Sequence, residues 1–234
     1  IRLQLNSLMQ RLGRALEAEH RFTADASHEL RSPLSAIQMR LQVLRRKYQD
    51  HPQLATEMLA IQQDVSRGTQ VLENLLLLAR LDPSKEEDLP KTQVDVQAIT
   101  ERLLSDYQES LQQHHLILHS NLEPVTIEAN AELLQICLRN LIDNAVHYTP
   151  AQGTIQIRLQ QQGRQLYWQI DNSGEGLDET VIQHFGERFY RVLGSQVQGS
   201  GLGLSICTKI VELHQGQIKF SASELGGLKV LLSI

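Results

Sequence analysis

Apolar residues recur along the first third of the chain in alternating steps of four and three: Leu30, Leu34, Ile37, Leu41, Leu44 and Tyr48. Phe22 and Ala26 extend this stripe upstream. Past the turn residues Asp50-His51-Pro52 the same rhythm returns at Leu54, Met58, Ile61, Val65, Gly68, Leu72, Leu75 and Ala79. This is the spacing of a coiled-coil-like seam. It predicts two helices, one ending near Tyr48 and the next starting near Gln53, folded as a hairpin. Two helices with one narrow seam each cannot enclose a core, so a second copy completing a four-helix bundle is the expected solution.

The polar tract Asp82-Pro83-Ser84-Lys85-Glu86-Glu87-Asp88-Leu89-Pro90 breaks the helical rhythm, and from Lys91 the texture becomes mixed. Alternation predicts strands near 92–95, 116–121, 125–128, 154–161, 164–172, 217–223 and 227–233. Helical spacing predicts helices near 96–114, 131–148, 178–185 and 203–214. Turn residues at Gln162-Gly163 and Leu225-Gly226-Gly227 favour antiparallel neighbours there. A sheet covered on one face by helices, an α+β sandwich, is the simplest packing. The expected organisation is a helical hairpin over 1–82, a linker over 83–91 and a sandwich domain over 92–234.

With 234 residues, 41% of them hydrophobic, the chain can fill one large or two ordinary domains. No apolar run has the length of a membrane span and no signal peptide is present. The chain starts at Ile1 inside a helical pattern, which fits a piece of something longer. The net charge of −5 conceals an asymmetry: residues 1–82 hold 11 Lys/Arg against 9 Asp/Glu, and 83–234 hold 11 against 18. The acidic second part argues against nucleic acid as a partner. Cys137 and Cys207 each sit in an apolar helical pattern, as buried free thiols of a reducing compartment would, rather than as a disulfide or metal site.

The chemistry concentrates in five places. Ser27-His28-Glu29-Leu30-Arg31-Ser32-Pro33 puts a histidine, its neighbouring carboxylate and a proline in the first helix. At about 100° per residue, His28 projects opposite the seam, with Ser32 one turn on along the same face. Pro33 removes the hydrogen bond to the Glu29 carbonyl, costing roughly 3 kcal/mol in a helix interior.

On the 131–148 helix, Asn140 and Asn144 project together, followed by His147 and Tyr148. Such paired amides suit a nucleotide triphosphate with Mg²⁺, one carbonyl oxygen ligating the ion and an NH₂ donating to phosphate. Asp171-Asn172-Ser173-Gly174-Glu175-Gly176 ends a strand whose alternation places Asn172 with Trp168 and Ile170, and Asp171 on the other face. Phe185-Gly186-Glu187-Arg188-Phe189-Tyr190-Arg191 leads into a polar loop to about residue 198. That stretch reads either as a mobile lid with Arg191 reaching phosphates or as an ordinary aromatic helix end. Gly199-Ser200-Gly201-Leu202-Gly203-Leu204 opens the last helix, making backbone N–H groups available to phosphate. It has neither the Gly-Lys-Ser/Thr ending of a P-loop nor the context of a Rossmann fingerprint.

In this order the segments resemble the cytoplasmic catalytic region of a bacterial two-component sensor histidine kinase. Residues 22–34 look like its phosphoacceptor box, 140–150 its N box, 172–176 its first glycine box, 185–191 its F box and 199–204 its second glycine box. Within the family, Phe22 to Leu34 looks most similar to the QseC and PmrB type of proteobacterial sensors.

The resemblance implies a dimerisation and histidine-phosphotransfer bundle joined to a Bergerat-type ATP-binding domain. By it, His28 is the phosphoacceptor, Glu29 accepts or orients its other ring proton, and Asn144 binds Mg²⁺ with Asn140 beside it. His147, Tyr148, Asn172, Gly174, Gly176, Arg191, Gly199, Gly201, Leu202 and Gly203 surround ATP. The implied partners are a second copy of the chain and the receiver domain of a response regulator, whose aspartate takes the phosphoryl group. The implied location is the cytoplasmic side of a bacterial inner-membrane sensor anchored before Ile1.

Two positions depart from the family pattern. Asn172 stands where an Asp usually accepts the adenine amino group; an Asn oxygen can accept the same bond, and an Asp there is expected to serve as well or better. An insertion in the loop would instead bring Asp171 to the base. His147 replaces the usual basic phosphate contact. Ser32 takes the place of the Thr or Asn that positions water for regulator dephosphorylation, and its hydroxyl makes phosphatase activity plausible. The rival readings are a Bergerat-fold ATPase that forms no phosphohistidine and a non-catalytic dimeric scaffold.

Overall fold

A computed structural model describes residues 33–48, 50–81, 89–163, 165–192 and 199–234, as two compact units, Ile1–Arg80 and Leu81–Ile234. His28, Glu29 and Ser32 lie outside the described residues, as do most of the expected linker and residues 193–198.

In the first unit, a helix over residues 33–47 (α1) turns at Tyr48–His51 into α2, Pro52–Arg80. The turn is closed by His51 N–H donating to the Tyr48 carbonyl at 3.0 Å. Gln38 Nε2 donates to Ser66 Oγ at 3.3 Å and Arg45 Nη1 to Gln62 Oε1 at 3.1 Å, which fixes the two helices as antiparallel. Half-buried positions recur at Leu34, Gln38, Leu41 and Arg45 on α1, at Tyr48 in the turn, and at Ala55, Met58, Gln62, Val65 and Thr69 on α2, whose residues 71–77 and Ala79 are half-buried as well. The hairpin therefore covers one flank of each predicted stripe. The other flank stays open, with Ile37 43%, Leu44 39%, Leu54 42% and Ile61 49% exposed.

The second unit carries β1 (Thr92–Asp95), α3 (Val96–Asp106), α4 (Gln108–Gln113), β2 (Ile117–Leu122) and β3 (Thr126–Ala129). It continues with α5 (Ala131–Tyr148), β4 (Thr154–Gln162), β5 (Gln165–Ser173), α6 (Glu179–Ile182), α7 (Gly203–Leu213), β6 (Gln217–Ala222) and β7 (Gly226–Ser233). Five strands form a sheet in the order β2-β4-β5-β7-β6, and β1 pairs with β3 as a separate two-stranded ribbon. The expected antiparallel hairpins β4–β5 and β6–β7 are present.

One pairing on which the sequence reading was silent is parallel: β2 runs alongside β4 in the same direction. The chain between them crosses β3 and the whole of α5, long enough for the crossover that a parallel pair demands. The expected 96–114 helix is also broken, at Tyr107 (φ −99°, ψ 0°). The 178–185 helix shrinks to α6, followed by turns in which Gly186 (φ 93°) and Phe189 (φ 63°) leave helical space.

The core lies between the sheet and α3, α5 and α7. Leu103, Leu134, Leu138, Leu141, Ile142 and Ile206 meet strand residues such as Ile155, Ile157, Leu159 and Trp168, all almost fully buried. Trp168 supplies the largest side chain, and its indole N–H is satisfied by Thr100 Oγ1 at 3.2 Å. Helix α5 starts at a strong cap, Asn130 Oδ1 accepting from Leu133 N–H at 3.0 Å. The Asn130 backbone N–H in turn donates to Nε2 of His214, the C-cap of α7, at 3.0 Å. Both thiols are buried, with Cys207 Sγ 3.5 Å from the Cys137 carbonyl oxygen, and burial pushes the Cys207 thiol well up.

Candidate functional site

Helix α5 packs on β5 and α7, so its polar face is held at the α7 N-terminus. Asn140 and Asn144 are both half-buried. Asn140 Nδ2 donates to the Ile136 carbonyl one turn back at 2.9 Å, leaving Oδ1 directed at α7; a Cβ built on Gly203 would lie 3.0 Å from it. Asn144 has no hydrogen-bond partner among the described residues, so its carboxamide is uncommitted. At the C-terminal end of α5, the Tyr148 hydroxyl is 4.0 Å from the Cβ position of Gly199. His147 is exposed, and its Nδ1 donates to the Asp143 carbonyl at 2.7 Å. With that N–H committed, only the doubly protonated ring offers a second donor to an anion.

The glycine segment before α7 is also tied to the aromatic segment. Phe189 N–H donates to the Gly201 carbonyl at 3.0 Å. Gly201 has φ +70°, and a Cβ there would fall 2.7 Å from the Phe189 carbonyl carbon and 2.8 Å from the Tyr190 oxygen. Only glycine fits both the conformation and the space. Phe185 anchors the aromatic segment edge-on against Tyr190 and Phe220, at centroid distances of 6.0 and 6.2 Å, while Phe189 is 58% exposed. Arg191 follows in an exposed stretch. Leu202, expected beside the nucleotide, is fully buried with its side chain in the core; its N–H donates to Ser200 Oγ at 3.3 Å.

The remaining glycines close on β7: Gly174 abuts Gly227, and Gly176 N–H donates to the Gly226 carbonyl at 2.8 Å. Asn172, 4% exposed, shares the helix-covered face with Trp168 and Ile170, whereas Asp171 lies on the opposite face, accepting from Gln169 Nε2 and from Ser223 Oγ at 3.3 Å. The structure thus joins the Asn140 face to the Gly203 segment, and that segment to Phe189. It fastens the 174–176 loop to the start of β7.

Sequence reasoning missed a polar cluster on the flank of α5. The Tyr107 hydroxyl donates to Asp143 Oδ1 at 2.5 Å, and Arg139 pairs with Asp106 at 2.9 Å. Burial first, then the Asp143 carboxylate, push the Tyr107 phenol upward. The cluster joins the α3–α4 break to the helix bearing Asn140 and Asn144; in sequence, Asp143 is simply one more polar residue of an amphipathic helix.

Known proteins agree with this architecture. Residues 18–84 match the His Kinase A (phospho-acceptor) domain and residues 129–234 the histidine kinase-, DNA gyrase B- and HSP90-like ATPase. The sensor protein QseC of Salmonella typhimurium is 31% identical over 98% of this chain and 50% of its own length. The sensor protein kinase PmrB of Pseudomonas aeruginosa is 36% identical over 92% of this chain and 45% of its own. A solved structure of full-length ShkA in complex with AMPPNP shares the fold, with a TM-score of 0.71 over 90% of this chain and 44% of that one, at 21% identity.

A phospho-acceptor hairpin followed by an ATPase sandwich defines the class, and this chain belongs to the sensor histidine kinases. It spans about half the length of the curated relatives it matches.

Proposed function

We propose that the chain phosphorylates itself on His28 from Mg-ATP and passes the phosphoryl group to an aspartate of a response-regulator receiver domain. The observation that carries this reading is the seating of Asn140 against Gly203 with the Asn144 carboxamide left uncommitted beside it. Residues 18–84, which include His28, match a phospho-acceptor domain.

Neutral imidazole of His28 attacks the γ-phosphorus in line, the bond to the ADP oxygen breaks, and ADP departs with that electron pair. Glu29 takes or orients the proton on the other ring nitrogen. Asn144 fits Mg²⁺ through its carbonyl oxygen, a hard neutral donor with no competing partner among the described residues; the ion would supply neutralisation of phosphate charge. Tyr148, His147, Arg191 and the glycines at 174, 176, 199, 201 and 203 enclose the nucleotide, and the facing of β5 favours Asn172 over Asp171 at the base.

Ser32, four residues after His28 in the sequence, supplies the hydroxyl for hydrolysis of the regulator's phosphate. The open flanks of α1 and α2 at Ile37, Leu44, Leu54 and Ile61 fit a second copy of the hairpin, giving a homodimer. The cellular placement that goes with this reading is the cytoplasmic side of an inner-membrane sensor; among the described residues no helix is long and apolar enough to cross a membrane.

The test is incubation of the chain and its His28→Ala variant with Mg²⁺ and γ-labelled ATP. Acid-labile, alkali-stable label that vanishes in the variant is expected. ATP turnover indifferent to His28→Ala would replace the kinase with a simple ATPase, and absence of nucleotide binding would leave a scaffold.

A further inference from the structure

Side-chain bonds run up one flank of α5. Gln135 Oε1 accepts from Arg102 Nη2 at 2.7 Å, Arg139 Nη2 donates to Asp106 Oδ2 at 2.9 Å, and Asp143 Oδ1 accepts from the Tyr107 hydroxyl at 2.5 Å. Gln135, Arg139 and Asp143 recur at every fourth residue, one turn apart along that flank. Their partners lie on α3 and at its end. Tyr107 is held by its backbone on both sides of the helix break: its N–H donates to the Leu104 carbonyl at 3.2 Å, and its own carbonyl accepts from Leu111 N–H at 2.9 Å. The next member of the α5 column is His147, whose ring donates to the Asp143 carbonyl at 2.7 Å.

The apolar face of α5, with Leu134, Leu138, Leu141, Ile142 and Ala145, holds the helix against the core. Apolar burial is non-directional and sets the roll of a helix about its own axis only loosely. Directional bonds on the flank set it. We infer that Tyr107 and Asp143 are a positioning pair: their bond fixes the roll of α5 at the residue before Asn144 and so aims the Asn144 carboxamide. This rests on the reading of Asn144 as the Mg²⁺ ligand of a nucleotide site. Asn140 is fixed by its own bond to the Ile136 carbonyl, whereas Asn144 has no side-chain partner among the described residues. The helix backbone is therefore what aims it.

Side-chain atoms of a helix lie about 5–6 Å from its axis, so a roll of about 10° moves the Asn144 oxygen by about 1 Å. Mg²⁺ demands near-ideal geometry with ligands at about 2.0–2.1 Å. A misplacement on that scale costs on the order of a hundredfold in rate. What the pair needs at position 143 is an acceptor oxygen rather than a charge. Asp143→Asn keeps that oxygen for the Tyr107 hydroxyl, whereas Tyr107→Phe and Asp143→Ala each remove the bond. Thr100→Val supplies the comparison: it strands the Trp168 indole N–H in the core and lowers stability without touching the flank of α5.

The experiment uses the full chain and its Tyr107→Phe, Asp143→Ala, Asp143→Asn and Thr100→Val variants. ATP affinity is measured by titration calorimetry with Mg²⁺ and again with EDTA, the labelling rate at saturating Mg-ATP, and folding by urea midpoints from Trp168 fluorescence. Tyr107→Phe and Asp143→Ala should fold and bind ATP in EDTA within about twofold of the unaltered chain. They should lose most of the affinity that Mg²⁺ adds, and about tenfold to a hundredfold in rate. Asp143→Asn should keep both, and Thr100→Val should keep both despite a lowered midpoint. The inference is overturned if Tyr107→Phe retains the Mg²⁺ gain and the rate, if Asp143→Asn fails as badly as Asp143→Ala, or if Thr100→Val loses the gain as fully as Tyr107→Phe. An unaltered chain that binds ATP no better with Mg²⁺ than with EDTA would remove the metal reading of Asn144, and the positioning role with it, before any variant is compared.

Discussion

Gly201→Ala separates backbone strain from a specific contact, because Gly163 provides a matched control. The two glycines have nearly the same dihedral, φ +70° and +65°, but a Cβ on Gly163 meets nothing within 4 Å, whereas on Gly201 it strikes Phe189 and Tyr190 backbone. Gly163→Ala should cost only the left-handed conformation, about 1–2 kcal/mol. Gly201→Ala carries that cost plus overpacking against atoms that cannot rotate away, about 1–3 kcal/mol more.

Trp168 is the only tryptophan and is fully buried in the second unit, so its fluorescence reports that unit's urea unfolding alone. With a slope of about 2 kcal/mol/M, the control midpoint should drop by roughly 0.5–1 M and the Gly201 midpoint by clearly more. The clash also parts the Phe189–Gly201 hydrogen bond, so ATP affinity should fall about tenfold or more in Gly201→Ala while Gly163→Ala binds normally. Equal small midpoint shifts with unchanged affinity in both would refute the contact between the aromatic and glycine segments.

Asn144→Ala should abolish Mg-ATP-dependent labelling while leaving the association state by sedimentation unchanged; undiminished labelling would remove Asn144 from the proposed metal site. Ile61→Asp places a charge on the open flank of the hairpin and should shift the chain to monomer in sedimentation equilibrium, with helix content retained by circular dichroism. Tyr107→Phe should lower the urea midpoint at neutral pH by about 1 kcal/mol worth of lost hydrogen bond. Because burial and Asp143 hold the folded phenol above its unfolded value, its contribution is complete below about pH 10 and declines as pH rises further. The Phe variant should show a flatter alkaline profile, and identical profiles would refute the coupling.

Helix α5 was fully legible in the sequence: Asn130 supplies the cap, the apolar stripe persists, and Thr149-Pro150 follows its last residue. The strands were legible to within about a residue, because alternation and glycine turns are local signals. The parallel β2–β4 pair was not, since nothing local distinguishes strands that meet across a long connection. Which flank of each stripe the two helices share was not legible either: Ile37 and Ile61 belong to the apolar stripe but stay open, while Gln38 and Gln62 lie on the shared flank. Candidate site residues were readable as amides and glycines in order, but not the partners that use up their hydrogen bonds. Asn172 reads in sequence as a substituted acceptor, whereas in the fold its Oδ1 already accepts the Leu228 N–H at 3.1 Å.

Helices α5 and α7 run antiparallel, tied at one end by Asn130 to His214 and adjoining at the other at Asn140 and Gly203. The pair is joined midway as well, Cys207 Sγ lying 3.5 Å from the Cys137 carbonyl oxygen, so it is packed along its shared length. A ligand seated beside Asn140 and Gly203 works against loops and side-chain amides and leaves that apolar packing unchanged. The thermodynamic signature is association dominated by enthalpy and loop ordering, with a heat-capacity change small compared with that of unfolding the domain.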